Sequence, residues 1–232
     1  MDNHIHQLAP HHWQEWVIGS AVDPTIVALN VRSLQGDEIY EYLMYALPQS
    51  ARRNDGRLCD GYLFRYVHLT DGSWWSSGLD PHNNWQPMEW GRAKPDCPRL
   101  EPIRNYQFAI RSLDNCELSS PKPIKYESPP KTPNRVTYFR VPLHIWQKVS
   151  IRYDVPMPDD IVITQEGEAL GFWAWVMENP QIPVFLTEGE KKAGCMLSLG
   201  YVAIALPGIW NGRVGKEGFE PYIPHLKVSQ KK

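Results

Sequence analysis

The chain has 232 residues, of which 42% are hydrophobic and 22% charged, with a formal net charge of -2. That length and apolar share exclude a disordered chain and leave room for one large domain or two small ones, with a real core. The charge excludes a dedicated nucleic-acid coat, so any contact with nucleic acid has to come from local patches.

The N-terminal stretch "MDNHIHQLAPHHW" carries His4, His6, His11 and His12, which we read as a disordered tail in preference to a metal-binding tract. Residues 11 to 19 read as a short helix. Residues 23 to 34 read as a second, because Asp23 can cap the free amides and Pro24 suits the first turn. After Gly36, the Tyr and Leu content of residues 38 to 47 favours a strand. A polar, turn-rich connection, "SARRNDGRL", follows and brings Arg52, Arg53 and Arg57. The runs at 62 to 69 and 73 to 79 flank Thr70-Asp71-Gly72, and an Asp-Gly between two such runs predicts an antiparallel hairpin. Residues 80 to 134, rich in Pro, Asn, Trp and Lys, read as a loop-decorated sheet region or a linker. Beyond them, residues 135 to 141 are strand-like. Leu143, Trp146, Val149 and Tyr153 recur at helical spacing, and residues 171 to 179 form a further aromatic helix.

The most informative stretch is "PVFLTEGEKKAGCMLSLGYVAIALPG", residues 183 to 208. A short apolar strand, a helix with Ala193, Met196, Leu197 and Leu199 on its apolar positions, Gly200 as helix stop and a second strand predict a β-α-β unit with two parallel strands. Glu188 then stands at the carboxyl end of the first strand, the edge at which open α/β sheets bind ligands. A carboxylate there suits Mg²⁺, Gly189 lets the backbone pass close to an ion, and Lys191 and Lys192 can meet phosphates. The plainer reading is that Glu188 and Glu190 complement a helix dipole and the lysines are solvated.

The same stretch resembles the first motif of Toprim-type domains, found in primases, topoisomerases and related nucleases. The resemblance implies that Glu188 is the counterpart of their metal-linked acid/base glutamate. The form "TEGEKKA…LGY…ALPG" is similar to the Toprim-like domain of uncharacterised function in bacterial plasmid replication proteins. Upstream, "HWQEWV…DP", "RRNDGRL", "GSWWSSGLDPHNNWQPMEWGRAKPD", "KYESPPKTPNR" and "GFWAWV" resemble the N-terminal part of the cyanobacterial plasmid replication family. Two departures matter: the sequence has no Asp-x-Asp pair of the kind Toprim domains carry on a later strand, and no GxxxxGK[ST] phosphate loop. The resemblance therefore implies an N-terminal fragment or shortened relative of a longer replication protein, catalytically incomplete by itself, with Mg²⁺ expected only for a complete Toprim site.

A second surface is Arg52, Arg53 and Arg57 with Tyr62, Tyr66, Trp74 and Trp75, which could follow single-stranded DNA by stacking and phosphate contact. The alternative is that one hairpin face is core and the arginines are solvated. The four cysteines form no CxxC pair and read as reduced thiols, with Cys195 a small core residue. No run reaches the roughly 20 apolar residues a bilayer needs, and no signal-peptide core is visible, so a cytoplasmic protein is expected.

Together these readings give an α+β chain. Residues 1 to 134 would be a Trp- and Pro-rich region, and residues 135 to 232 the first part of a Toprim-like domain. The expected partners are DNA, preferably single-stranded, and a replication or helicase protein. The competing reading is a non-catalytic DNA- or protein-binding module.

Overall fold

The computed structural model describes residues 8–100 and 122–208. Helix α1 (Pro10–Trp13) runs on into a wider helical turn, Gln14–Ile18, closed by a 2.7 Å bond from the Gly19 N–H to the Gln14 carbonyl. Helix α2 (Pro24–Asn30) starts as the sequence predicts, with the Asp23 carboxylate accepting from the Thr25 N–H at 2.9 Å. It stops at Asn30. Val31 turns extended and opens strand β1 (Val31–Leu34), which the sequence had placed inside the helix.

Three strands make an antiparallel sheet in the order β1-β2-β3, with β2 at Ser73–Asp80 and β3 at Gln86–Pro95. The hairpin expected between residues 62 to 69 and 73 to 79 does not form, and a different one joins β2 to β3. Residues 60 to 69 are helical, α4 (Asp60–Tyr66) followed by a tight turn Val67–Leu69, and β2 pairs with β3 from the region read as irregular. The hairpin turn is residues 81 to 85, where Asn84 and Trp85 take positive φ, and Thr70-Asp71-Gly72 joins a helix to β2. Close packing in the hairpin needs Gly91, since a Cβ there would lie 2.5 Å from the Trp75 ring. Residues 38 to 43 are also helical (α3, Glu38–Leu43), because Ile39 and Leu43 then share one buried face.

Residues 135 to 141 are extended, but they serve as a seam between the two sheets and do not form a ladder of their own. Leu79 N–H donates to the Tyr138 carbonyl at 2.7 Å, and Thr137 exchanges two bonds with Ala205. Helices α5 (Leu143–Tyr153) and α6 (Phe172–Glu178) fall where the periodicity put them. Strand β4 (Val184–Glu188), helix α7 (Glu190–Ser198) and strand β5 (Val202–Leu206) complete a parallel β-α-β unit in the register Val184↔Val202 to Glu188↔Leu206. The architecture is α+β.

The tryptophans explain how the two parts cohere. Successive side chains on β2 point to opposite faces, so Trp74 and Trp75 fill different cores. Trp74 meets Trp16 edge to face at 5.1 Å and belongs to one core with Phe139, Trp146, Ala193 and Ile204, drawn from both ends of the sequence. Trp75 joins Leu34, Ile39, Leu43, Leu69 and Ala93 on the other face. Among the described residues, no helix is long and apolar enough to cross a membrane.

Candidate functional site

The β4–α7 junction places Glu188 and Glu190 two residues apart in opposite environments. Gly189 separates them at φ 88 and ψ 152, a conformation that side chains rarely adopt, and its N–H donates to the Leu206 carbonyl at 2.9 Å. That bond carries the parallel pairing one residue past the strand and then releases the chain into α7. A Cβ on Gly189 would meet no atom within 4 Å, so the backbone here is open to close approach.

Glu188 is 54% exposed, and its nearest cation is Lys192 at 4.0 Å. Glu190 is 2% exposed and faces inward to Arg92 of β3, whose Nη1 lies 3.4 Å from both carboxylate oxygens. Burial pushes the Glu190 carboxyl up from its ordinary value, against the opposing pull of Arg92. The Arg92 guanidinium lies 4.5 Å above the Tyr126 ring. Arg92, Tyr126, Trp74 and Glu190 line one cavity of about 300 Å³ together with Glu188, Lys191 and Lys192. The helix-start reading thus describes Glu190, while Glu188 stands exposed at the carboxyl end of β4 with Lys192 beside it.

The two lysines also divide. Lys192 is exposed beside Glu188. Lys191 reaches back to the first helical segment, where its Nζ donates to Glu15 Oε1 at 2.5 Å and Lys94 donates to the same oxygen at 2.7 Å. The other Glu15 oxygen accepts from the Trp74 indole N–H at 3.1 Å. Burial raises the Glu15 pKa, but the hydrogen bonds and charges of Lys191 and Lys94 outweigh it and leave this carboxyl below its ordinary value. The Lys191 ammonium is therefore already paired with Glu15, although its side chain still lines the cavity beside Glu188 where a phosphate contact was expected. Neither Arg92 nor Glu15 stood out in the sequence. The one available signal was a charged residue inside the "EWGRAK" strand pattern.

The expected Arg and Trp surface is not assembled. Trp74 and Trp75 are core residues, 1% and 3% exposed on opposite faces of β2, and present no exposed ring surface for stacking bases. Arg52, Arg53 and Arg57 do share one turn, closed by the Arg52–Leu58 bridge and by the Arg53 N–H donating to the Arg57 carbonyl at 2.7 Å. Arg53 is paired with Asp60, while Arg57 is exposed. Cys195 packs against the larger core.

Of the histidine tract, His4 and His6 lie outside the described residues, while His11 and His12 sit on α1 and not in a tail. Both rings reach Asp96, the residue after β3: His11 Nε2 donates to Oδ2 at 2.9 Å and His12 Nε2 donates to Oδ1 at 2.8 Å. Burial holds the His12 imidazole below its ordinary pKa, although Asp96 pulls the other way.

Residues 172–230 match the family described as a domain of unknown function (DUF3854). The chain is also similar to an uncharacterized protein of Picosynechococcus sp. (strain ATCC 27264 / PCC 7002 / PR-6), at 41% identity over 211 residues, or 91% of this chain and 19% of the relative. The chain thus spans about a fifth of the length of the curated relative it matches. No solved structure matches it.

Proposed function

We propose that the β4–α7 corner is a Toprim-like phosphate and divalent-cation site in a plasmid DNA replication protein, and that its ligand is single-stranded DNA or a nucleotide. One observation carries this reading: Glu188 stands exposed at the carboxyl end of a parallel strand with only a solvated ion pair to Lys192 at 4.0 Å, while its neighbour Glu190 is buried and paired with Arg92. A glutamate whose only task was to favour the helix start would not need the open backbone that Gly189 provides.

Glu188 would supply the carboxylate for Mg²⁺. Among the described residues it belongs to no group of three metal-ligating side chains. That donor set fits an ion that keeps its waters and takes further oxygens from a substrate phosphate. The ion would supply charge neutralisation at the phosphate. Lys192 and the open N-terminal turn of α7 would hold the phosphate itself, since the first amides of a helix have no partner inside it.

The test is the fluorescence anisotropy of a labelled single-stranded oligonucleotide, titrated with the chain in Mg²⁺ and then in chelator. We expect binding that strengthens with Mg²⁺, and we expect Glu188→Gln to reduce it to the level measured in chelator. An unchanged Mg²⁺ response in Glu188→Gln would remove Glu188 from the site.

The Arg52–Leu58 turn favours a second reading, a non-catalytic module that grips the DNA backbone or a replication partner through exposed guanidinium groups. Under that reading Arg57→Ala weakens binding and flattens its salt dependence, and Glu188→Gln does nothing.

A further inference from the structure

His11, His12 and Asp96 are brought together from opposite ends of the first hundred residues, 84 and 85 positions apart. Their ligand atoms all lie within 4.8 Å of one another. We propose that these three side chains bind a late first-row divalent cation, Zn²⁺ being the type, through two imidazole nitrogens and one carboxylate with a coordination position left open.

The chemistry of the donors selects the ion. Two imidazoles and a carboxylate suit Zn²⁺ and its neighbours, whereas Mg²⁺ prefers oxygen alone. This site is therefore distinct in kind from the corner around Glu188 and does not rest on the reading of that corner. With bonds of roughly 2.0–2.1 Å, tetrahedral ligand atoms lie about 3.3 Å apart. Each imidazole nitrogen now lies 2.8 or 2.9 Å from its own Asp96 oxygen, about half an ångström short of that spacing, and all the ligand atoms are within 4.8 Å of one another. His11 is 57% exposed and has the freedom to do so, while His12, at 2%, is the fixed ligand.

The surroundings support the same use. Ser33 Oγ lies 2.6 Å from His12 Nδ1 and accepts from the Ala9 N–H at 2.8 Å. A hydroxyl can donate to Nδ1 while Nε2 carries the proton, and can equally accept from Nδ1–H once Nε2 turns its lone pair to a metal. Ser33 thus orients the ring in either tautomer, as the outer partner of a ligating histidine must. The carboxylate is placed with similar economy of space: Asp96 N–H donates to the Gly72 carbonyl at 2.9 Å, and a Cβ on Gly72 would fall on Asp96 Oδ2. Solvent has access, because His11 and Asp96 line an open cavity of about 680 Å³. Lys94 and Lys191, which share that wall, are both bonded to Glu15 and do not compete for Asp96.

The test uses the full chain, stripped with chelator and titrated with Zn²⁺ by calorimetry, with Co²⁺ as a spectroscopic substitute. We expect one Zn²⁺ bound at this site, weakened at least about tenfold by His11→Ala and by Asp96→Asn, and about tenfold by Ser33→Ala. Circular dichroism should show the His11→Ala fold unchanged, since that ring is exposed, so His11→Ala decides the matter if Asp96→Asn fails to fold. The Co²⁺ form should show ligand-field bands without thiolate charge transfer, which separates the site from the adjacent Cys97. A His4→Ala/His6→Ala variant should bind as the parent does. The proposal is overturned if the parent takes up no Zn²⁺, if binding survives both His11→Ala and Asp96→Asn, if it vanishes with His4 and His6, or if Co²⁺ reports a thiolate ligand.

Discussion

Two candidate sites lie side by side near Lys191 and are made in different ways. The β4–α7 corner comes from one run of consecutive residues, in which a strand end, a positive-φ glycine and a helix start place Glu188 by backbone geometry alone. The His11–His12–Asp96 cluster exists only because α1 docks against the end of β3. A site of the first kind survives wherever its supersecondary unit folds. A site of the second kind is as stable as the tertiary contact that assembles it. Changes at the contacts between the two parts should therefore separate them.

The largest expected effect is at Arg92, which joins β3 to the start of α7 through Glu190. Arg92→Ala leaves a carboxylate buried without its cation, and we expect about 3–5 kcal/mol of lost stability in a denaturant titration. A loss below 1 kcal/mol would mean that Glu190 finds solvent or is protonated once Arg92 is gone, and that the two parts are not joined here.

Next is Glu15, which gathers Lys191, Lys94 and the Trp74 indole around one carboxylate. Glu15→Gln should lose about 1.5–3 kcal/mol at neutral pH, the range for hydrogen bonds to charged groups. The pH dependence has a definite sign. The folded chain binds the Glu15 proton more weakly than the unfolded chain does, so the stabilisation is full above the ordinary carboxylate range and fades as pH falls through the lowered folded value. The parent and variant curves should converge in acid. A gap that stays constant through acid pH would assign the effect to shape and not to charge.

These contacts also mark where the sequence was legible. The β-α-β corner could be read residue by residue, because strand period, Gly189, helix period and Gly200 are local signals that agree with one another. Helices α5 and α6 were legible for the same reason. The β2–β3 hairpin was not, since Asp71-Gly72 gives a strong turn signal while Gly72 is also needed to make room for Asp96, a partner in space that no local pattern shows. Trp74 and Trp75 looked like a stacking surface because adjacency in sequence does not say that the two rings are buried on opposite faces of β2. His11 and His12 lacked a visible acid because Asp96 is contributed by another element.

Gly72 gives a more selective way to part the two sites. In Gly72→Ala the new methyl competes with the Asp96 carboxylate at a φ of +142 that side chains rarely adopt, and about 1–3 kcal/mol of stability should be lost. The sharper readout is binding. Zn²⁺ affinity should fall while any Mg²⁺-dependent DNA binding remains, because the corner does not depend on Asp96. Equal losses in both would show that the sites respond to one shared distortion.

The smallest effect on stability should come from the residue with the largest expected effect on function. Glu188 is more than half exposed, and its one cation is at the limit of ion-pair distance and well solvated. Such pairs contribute little, so Glu188→Gln should leave stability within about 0.5 kcal/mol of the parent. Glu190→Gln, two residues on, serves as the contrast: it leaves the Arg92 cation buried without its charge partner, and its stability should move by more than that of Glu188→Gln. If Glu188→Gln instead unfolds the chain as readily as Glu190→Gln, Glu188 is part of the helix start, and its exposure at the strand end has no functional meaning. If it leaves the fold intact and removes the Mg²⁺ response, the exposed carboxylate was kept for a ligand and not for the fold.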